Sequence, residues 1–199
     1  TRSYSVTGVQ TCALPIFARA LGTVVFCDVS DAVSAGTPGE STWILKALME
    51  RGAGLVAYLT MRDAEAAIRA WARNVGDEVT LSVGGKIDRL YNQPLEYSGI
   101  VTWKGETSFG KTVIVRRDGI HLVLSELPMA SKSPKEYQAL GLSPWKADIV
   151  VVKNLFPFRY NYILYNRKTV NVQTPGLSST DVFGLKYRNI PRPIYPLDK

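Results

Sequence analysis

The sequence has little of what metal-dependent and disulfide-bonded proteins need. Among 199 residues there is one histidine, His121, and there are two cysteines, Cys12 and Cys27. A hydrolytic zinc site normally uses three protein ligands that include histidine, so one histidine and scattered carboxylates argue against a zinc site within this chain. Two cysteines form no disulfide framework and match no metal-binding spacing, which is typical of a reducing compartment, and we expect a cytoplasmic location.

The chain also lacks long apolar runs and clustered charge. Its most continuous apolar run, Ile149 to Val152, has the length of a strand and not of a membrane span. Lysine and arginine outnumber aspartate and glutamate by 24 to 17, but they are dispersed along the chain. We therefore expect neither a membrane nor a nucleic acid as partner. The apolar fraction of 46% is typical of a globular domain with a sizeable core.

Residues 1–16 read differently from the rest. Val6 to Ile16, VTGVQTCALPI, corresponds to the translation of a common sequencing adapter, and the chain begins with Thr1 and not with Met. A signal peptide is the rival interpretation, because Ala18-Arg19-Ala20 has a cleavage-like pattern, but the segment has no proper apolar centre. We expect residues 1–16 to be non-native, the genuine protein to begin near Phe17, and its upstream part to be missing.

The remaining chain predicts a single α/β domain: a mixed sheet with flanking helices and an antiparallel hairpin insert. Thr23–Phe26, Leu55–Leu59 and Ile149–Val152 are predicted as buried strands, and Met61–Val75 as a helix. Short β-rich runs between residues 97 and 124 are separated by glycine-containing turns, as in hairpins. A possible homo-oligomer is left open.

The segment from Asp28 to Thr42, DVSDAVSAGTPGEST, is the most informative one. Thr37-Pro38-Gly39-Glu40 matches a capping box, which predicts a helix beginning at Pro38. The N–H groups of such a helix, facing a loop of small residues, can receive an anion or a substrate carbonyl. The alternative is a strand-to-helix connection with no ligand.

Two other patterns favour a structural interpretation. Gly105 to Thr112 matches the phosphate-loop pattern G-x-x-x-x-G-K-[ST], but a β-branched run follows it where a helix is required, so we predict a hairpin. His121 lies within a predicted strand, which favours a structural role over a catalytic one. In open α/β sheets, ligands gather at the carboxyl ends of strands, and Asp28, Asp31, Lys153 and Thr174 are all predicted there.

Four motifs in this order carry a family resemblance: Asp28-x-x-Asp31-Ala32-x-Ser34-x-Gly36-x-Pro38-Gly39-Glu40-Ser41, Val151-Val152-Lys153, Thr174-Pro175-Gly176 and Arg192-Pro193-Ile194-Tyr195-Pro196-Leu197-Asp198. Together they resemble the C-terminal domain of the microcystinase C (MlrC) family of zinc metallopeptidases. The resemblance covers nearly all of residues 17–199. The loop that begins at Asp31 differs from the pattern D-N-P-G-G-G that is commoner in the family. It is similar to a variant branch of the family with the pattern D-A-x-x-x-G.

The resemblance implies a bipartite enzyme that hydrolyses peptide or amide bonds in small peptides. The best-known family member cleaves linearised microcystin peptides. Zinc would be held by the N-terminal domain, against which this domain packs, so this chain would supply no catalytic residue and no zinc ligand and would be inactive alone. The implied substrate-binding residues are Asp28, Asp31, Ser34, Gly36, Gly39, Ser41, Lys153 and Thr174. The alternative is a non-catalytic α/β module that binds a small anion or peptide.

Overall fold

The computed structural model describes residues 4–7, 22–179, 183–184 and 187–198, with residues 4–7 described by their backbone alone. Nine strands and four α-helices make up this part of the chain. The strands are β1 (Tyr4–Thr7), β2 (Thr23–Asp28), β3 (Ala57–Arg62), β4 (Glu78–Val83), β5 (Leu95–Thr107), β6 (Gly110–Arg117), β7 (Ile120–Ser125), β8 (Ile149–Val152) and β9 (Asn166–Gln173). The helices are α1 (Trp43–Arg51), α2 (Ala64–Trp71), α3 (Pro134–Gln138) and α4 (Phe158–Asn161).

All nine strands form one mixed sheet in the order β1-β9-β2-β8-β3-β7-β6-β5-β4. The strands from β1 to β7 in this order run parallel, whereas β6, β5 and β4 continue the sheet as antiparallel neighbours. This confirms the predicted α/β class with an antiparallel insert. The pairing of β1 with β9 involves residues 4–7, which we had expected to be non-native; their origin stays a prediction.

Two apolar clusters cover the faces of the sheet. One joins α1 and α2 to the strands through side chains such as Leu45 and Ala67, and the other joins α3 and α4 through Tyr137 and Phe158. Strands β2 and β8 are buried along their whole length, as expected for parallel strands covered on both faces. Strand β4 is more exposed and alternates toward its end, as expected at a sheet edge.

The strand predictions are confirmed in kind, with shifted ends. Ile149–Val152 is observed as predicted, whereas the predicted strand Leu55–Leu59 begins and ends later, as β3. The predicted helix Met61–Val75 is too long, because Met61 and Arg62 complete β3. Asp63 then caps α2 by accepting a hydrogen bond from the Ala66 N–H at 3.0 Å.

Within the described residues, no helix has both the length and the apolar character needed to cross a bilayer. The described tail, residues 187–198, is mostly exposed. Asp198 closes a small loop there by accepting hydrogen bonds from the Ile194 N–H, at 2.7 Å, and from Arg192.

Candidate functional site

Three charged side chains meet at the carboxyl ends of neighbouring parallel strands. Asp28 is the last residue of β2, and Lys153 directly follows β8, which pairs with β2. The Lys153 ammonium lies 2.9 Å from Asp28 Oδ2 and 2.8 Å from Asp31 Oδ2. The predicted juxtaposition of these three residues is therefore present.

The cluster is almost completely shielded from solvent. The exposed fraction is 1% for Asp28, 4% for Asp31 and 3% for Lys153. Burial of two carboxylates around one ammonium is costly unless each charge is hydrogen-bonded. The arrangement therefore depends on the further contacts that each carboxylate makes.

The two aspartates differ in their surroundings, and so do their pKa values. Burial raises the pKa of Asp28, and Lys153 only partly offsets that effect. Burial alone would also raise the pKa of Asp31, but Lys153 and the N–H groups of Ser41 and Gly39 outweigh it, so this pKa is lowered. Burial would lower the pKa of Lys153, but the two carboxylates outweigh it and raise that pKa. At neutral pH, Asp31 is thus the ionised partner of a charged lysine.

Asp31 also holds the loop in place. Its Oδ1 accepts a hydrogen bond from the Gly39 N–H at 2.9 Å, and its Oδ2 accepts one from the Ser41 N–H at 2.7 Å. Gly39 has a φ of +80°, and a Cβ there would lie 2.7 Å from Val33 Cγ2. A glycine is required at this position because the loop both turns left-handed and passes close to its own preceding turn.

Three hydroxyl groups, two within residues 28–42 and one directly after β9, have no hydrogen bond to the described residues. Thr37 Oγ1, Ser41 Oγ and Thr174 Oγ1 are all buried and lack a partner among the residues that the structure describes. Buried hydroxyls are normally hydrogen-bonded, so unpartnered ones call for an explanation. Thr174 is tied to the β2 loop by its backbone, because its N–H donates to Ser30 Oγ at 2.8 Å.

The structure separates the predicted site residues into two groups. Asp28, Asp31, Gly39, Ser41 and Lys153 form one bonded network, and Thr174 joins the same loop through Ser30.

Ser34 and Gly36 instead lie on an exposed turn that contains a short 3₁₀ helix, Val33–Ala35. The structure gives neither of them a contact with the Asp31–Lys153 network in the part of the chain it describes.

The predicted capping box is wrong. Helix α1 begins at Trp43 and not at Pro38, with Thr42 at its N-cap. The Glu40 carboxylate instead accepts hydrogen bonds from the N–H groups of Lys86, Ile87 and Asp88, at 3.1, 2.7 and 2.6 Å. Glu40 is thus held by a loop more than forty residues away, and local spacing gives no sign of that partner.

Sequence reasoning also missed Asp63. Its carboxylate caps α2, accepts the Gly84 N–H at 2.9 Å and forms a salt bridge of 3.0 Å with Lys86. An aspartate placed directly before an alanine-rich helical run could have indicated the cap. Glu40 thus fastens the loop after β4 to the segment that carries the Asp31 network, and Asp63 fastens the same loop to the start of α2.

A comparison with known proteins identifies the family of this chain. The sequence model of the family described as "MlrC C-terminus" matches residues 26–189 of this chain. The chain belongs to the MlrC C-terminus family. The matched range contains every member of the Asp31 network and the Thr174 motif.

One characterised protein and one solved structure are similar to this chain. "Microcystinase C" from Sphingomonas sp is 23% identical over 185 residues, which cover 88% of this chain and 36% of that protein. A crystal structure of a candidate metallopeptidase from Mesorhizobium sp. BNC1 has a TM-score of 0.82 at 22% identity, covering 98% of this chain and 42% of the other. The structural likeness establishes the fold. The chain thus spans less than half the length of both relatives.

The side chains of this MlrC C-terminus domain do not fit the zinc that the family resemblance implies. In the described part of the chain, no three His, Cys, Asp or Glu residues are grouped so that they could hold a metal ion. The two buried carboxylates of the site, Asp28 and Asp31, have the Lys153 ammonium bound to both of them. A cation is already built into this position.

One motif and two single residues that could have suggested other chemistry have structural surroundings. Gly105 to Thr112 joins β5 to β6 by a two-residue turn, which confirms the predicted hairpin. His121 lies in β7, and its ring meets the Tyr58 ring edge-on at 5.1 Å. Burial raises the pKa of Cys27 to about 12, so its thiol is protonated and unreactive at neutral pH.

Proposed function

We propose that this domain forms the substrate-facing wall of an MlrC-type zinc metallopeptidase that hydrolyses peptide or amide bonds in small peptides. The names of two relatives support a peptidase: Microcystinase C for one, and a candidate metallopeptidase for the other. Because the chain covers only 36% and 42% of those proteins, we assign the hydrolytic chemistry and its zinc to the part of the protein upstream of this domain.

The observation that carries the proposal is the pairing of a rigid charged network with unpartnered hydroxyls. Asp31 fixes the loop by accepting hydrogen bonds from its N–H groups, and Lys153 fixes Asp31 in turn by donating to its carboxylate. Ser41 and Thr174 then carry hydroxyls that the fold itself does not use. A hydroxyl both donates and accepts, and can therefore bind the N–H or the C=O of a peptide.

In this proposal, the chain's own residues bind and orient the substrate. Asp31 and Lys153 position the loop without touching the substrate. The Ser41 and Thr174 hydroxyls are buried in this chain, so they contact substrate amide groups after the residues that cover them move aside. The bonds of Asp31 keep the loop backbone fixed, which lowers the cost of orienting a substrate. Ser34 and Gly36, on the exposed turn, have no assigned part in this arrangement.

The anion-binding module is the less favoured alternative. It depends on loop N–H groups that are available to an anion, yet those of Gly39 and Ser41 are bonded to the Asp31 carboxylate. An incoming anion would have to displace a buried carboxylate that is also paired with Lys153. Competition with an internal carboxylate disfavours this binding mode.

The test uses the full-length protein and removes single hydroxyls. We expect Ser41→Ala and Thr174→Val each to lower kcat/KM for a short peptide by about tenfold, the size of one lost hydrogen bond to a substrate. Zinc content and thermal stability should stay unchanged, because the fold does not use either hydroxyl. Thr80→Val, which removes an exposed hydroxyl on β4, is the matched control.

Two results would contradict the proposal. Full activity in both the Ser41 and the Thr174 variants would remove these residues from substrate binding. One equivalent of tightly bound zinc on the purified 199-residue chain would overturn the division between a zinc-bearing part and a substrate-binding part.

A further inference from the structure

The segment around helix α4 is apolar on two opposite faces. Residues 155–165, LFPFRYNYILY, contain this helix, and backbone hydrogen bonds continue its helical turns on both sides. Phe158 and Tyr162 are fully buried and pack in the cluster that covers one face of the sheet. A helix that is apolar all round is normally covered on both faces. The outer face of this segment therefore calls for a further surface to cover it.

Four large side chains make up the outer face, and we call them the α4 stripe: Phe156, Tyr160, Ile163 and Leu164. Their spacing of i, i+4, i+7 and i+8 places them on one side of a helix. They are 68%, 82%, 72% and 72% exposed, in that order. If a side chain of this size contributes roughly 200 Å² when fully exposed, the stripe exposes roughly 600 Å². Exposed apolar patches of that size mark interaction sites.

Helix α2 shows how a solvent-facing helix of this protein differs from the α4 stripe. Glu65 and Arg69 on α2 form an ion pair of 3.6 Å, and their side chains are 61% and 65% exposed. Residues 155–165 contain one charged residue, Arg159, whose guanidinium lies over the buried Phe158 ring at 5.9 Å from its centre. The stripe itself has no charge, so a partner that is recognised by charge has nothing to bind there.

We propose that the α4 stripe packs against the α4 stripe of a second copy of this chain, with the two segments antiparallel about a two-fold axis. A two-fold contact uses the same surface on both copies, so that surface must complement itself. An uncharged apolar stripe does so without repulsion.

The antiparallel arrangement pairs rings with aliphatic side chains. It brings Phe156 of each copy against Ile163 and Leu164 of the other, and both copies of Tyr160 lie beside the axis, because this residue is at the centre of the stripe. Together the two copies would bury about 1,200 Å², the lower end of the range of stable protein interfaces. The proposal does not rest on the peptidase function, because association is measured without hydrolysis.

The first experiment measures the mass of the 199-residue chain by sedimentation velocity over a range of concentrations. The monomer has a mass of 22.0 kDa, and we expect the wild type to reach twice that mass as the concentration rises. Tyr160→Lys should weaken the dimer about a hundredfold, because it sets two ammonium groups against each other at the axis. Its midpoint of thermal unfolding at low concentration should match that of the wild type, because Tyr160 is exposed in the monomer.

Tyr195→Lys is the matched control for this variant. Tyr195 lies in the tail, is 90% exposed and undergoes the same change of charge. We expect it to dimerise as the wild type does. A wild type that stays monomeric at every concentration, or an equal loss of dimer in both lysine variants, would overturn the proposal.

The second experiment tests the two-fold arrangement itself. The thiol of Cys27 is buried, so a Cys12→Ser background leaves no other cysteine to cross-link. In that background, Tyr160→Cys places a thiol beside the axis, and oxidation with diamide should link two copies through this residue. Ser82→Cys, an exposed position on the edge strand β4, is the control and should link far less. Equal cross-linking of the two variants would contradict the antiparallel packing.

Two other partners of the stripe would each give a distinct result. A full-length protein that is monomeric, while the 199-residue chain dimerises, would assign the stripe to the upstream part of the protein. A monomeric chain that co-sediments with phosphatidylcholine vesicles would assign it to a lipid surface. Either result would overturn the proposed dimer.

Discussion

The parallel and antiparallel parts of the sheet use their lysine side chains differently. At the carboxyl ends of β2 and β8, two carboxylates and an ammonium are buried together and hold a loop. In the antiparallel half, Lys104 binds the carbonyls of Trp71 and Arg73, at 3.0 and 2.6 Å, and lies over the Trp71 ring. Parallel strands bring several chain segments out at one edge, so charges from distant positions can meet there. Hairpins bring together mainly neighbouring segments.

The largest expected difference between the halves comes from removing the two lysines. Lys153→Met leaves two buried carboxylates without their cation and should lower the free energy of unfolding by about 3–5 kcal/mol. Lys104→Met removes hydrogen bonds from partly exposed carbonyls that water can satisfy, and should cost about 1 kcal/mol. Urea denaturation at pH 7 measures both. Equal losses of stability in the two variants would show that Lys153 contributes no more to folding than the partly exposed Lys104.

Within the parallel half, substitution of the two aspartates should lower the free energy of unfolding by different amounts and with a different dependence on pH. At pH 7, Asp31→Asn should cost about 2 kcal/mol, because it removes the charge that pairs with Lys153 and binds two N–H groups. Asp28→Asn should cost less, because burial already raises the pKa of Asp28 and disfavours its charge.

The sign of the pH dependence differs between these variants as well. The folded pKa of Asp31 is lowered, so its stabilisation is present above the ordinary aspartate pKa and is lost as the pH falls through the folded value. The wild type and Asp31→Asn should therefore converge in unfolding free energy on acidification. The folded pKa of Asp28 is raised, so its contribution is lost as the pH rises through the folded value. Parallel pH curves for both variants would contradict this assignment.

The smallest expected effect separates backbone strain from crowding in the loop. Gly36 and Gly39 have φ values of +92° and +80°, so alanine is strained at both. A Cβ at Gly36 meets nothing within 4 Å, whereas one at Gly39 meets Val33. Gly36→Ala should cost about 1 kcal/mol, and Gly39→Ala about 1 kcal/mol more. Thermal denaturation measures the difference, and equal losses would show that the loop yields freely around residue 39.

The parts of the fold that sequence could predict are those set by local pattern. The β-branched run Ile149–Val152 and the hairpin around Gly105–Thr112 depend on neighbouring residues, and both are observed. The helix predicted from Met61 was too long because Met61 and Arg62 continue β3, where they pair with β7. The cap at Asp63, which marks the true start of the helix, was a readable signal that the prediction overlooked.

The candidate site was also predictable only in part. Asp28 ends one buried strand and Lys153 directly follows its neighbour, so strand topology was enough to bring them together. Glu40 was misassigned because its partners, the N–H groups of residues 86–88, are distant in sequence.

The contact between Asp31 and Lys153 joins positions 122 residues apart. During synthesis from the N-terminus, Asp31, Gly39 and Ser41 all leave the ribosome long before their lysine does. A nascent chain that ends before β8 cannot supply the cation, so the loop cannot reach its final bonding pattern in it. Completion of this site is therefore a late event in the life of each newly made molecule, after most of the sheet has had time to form.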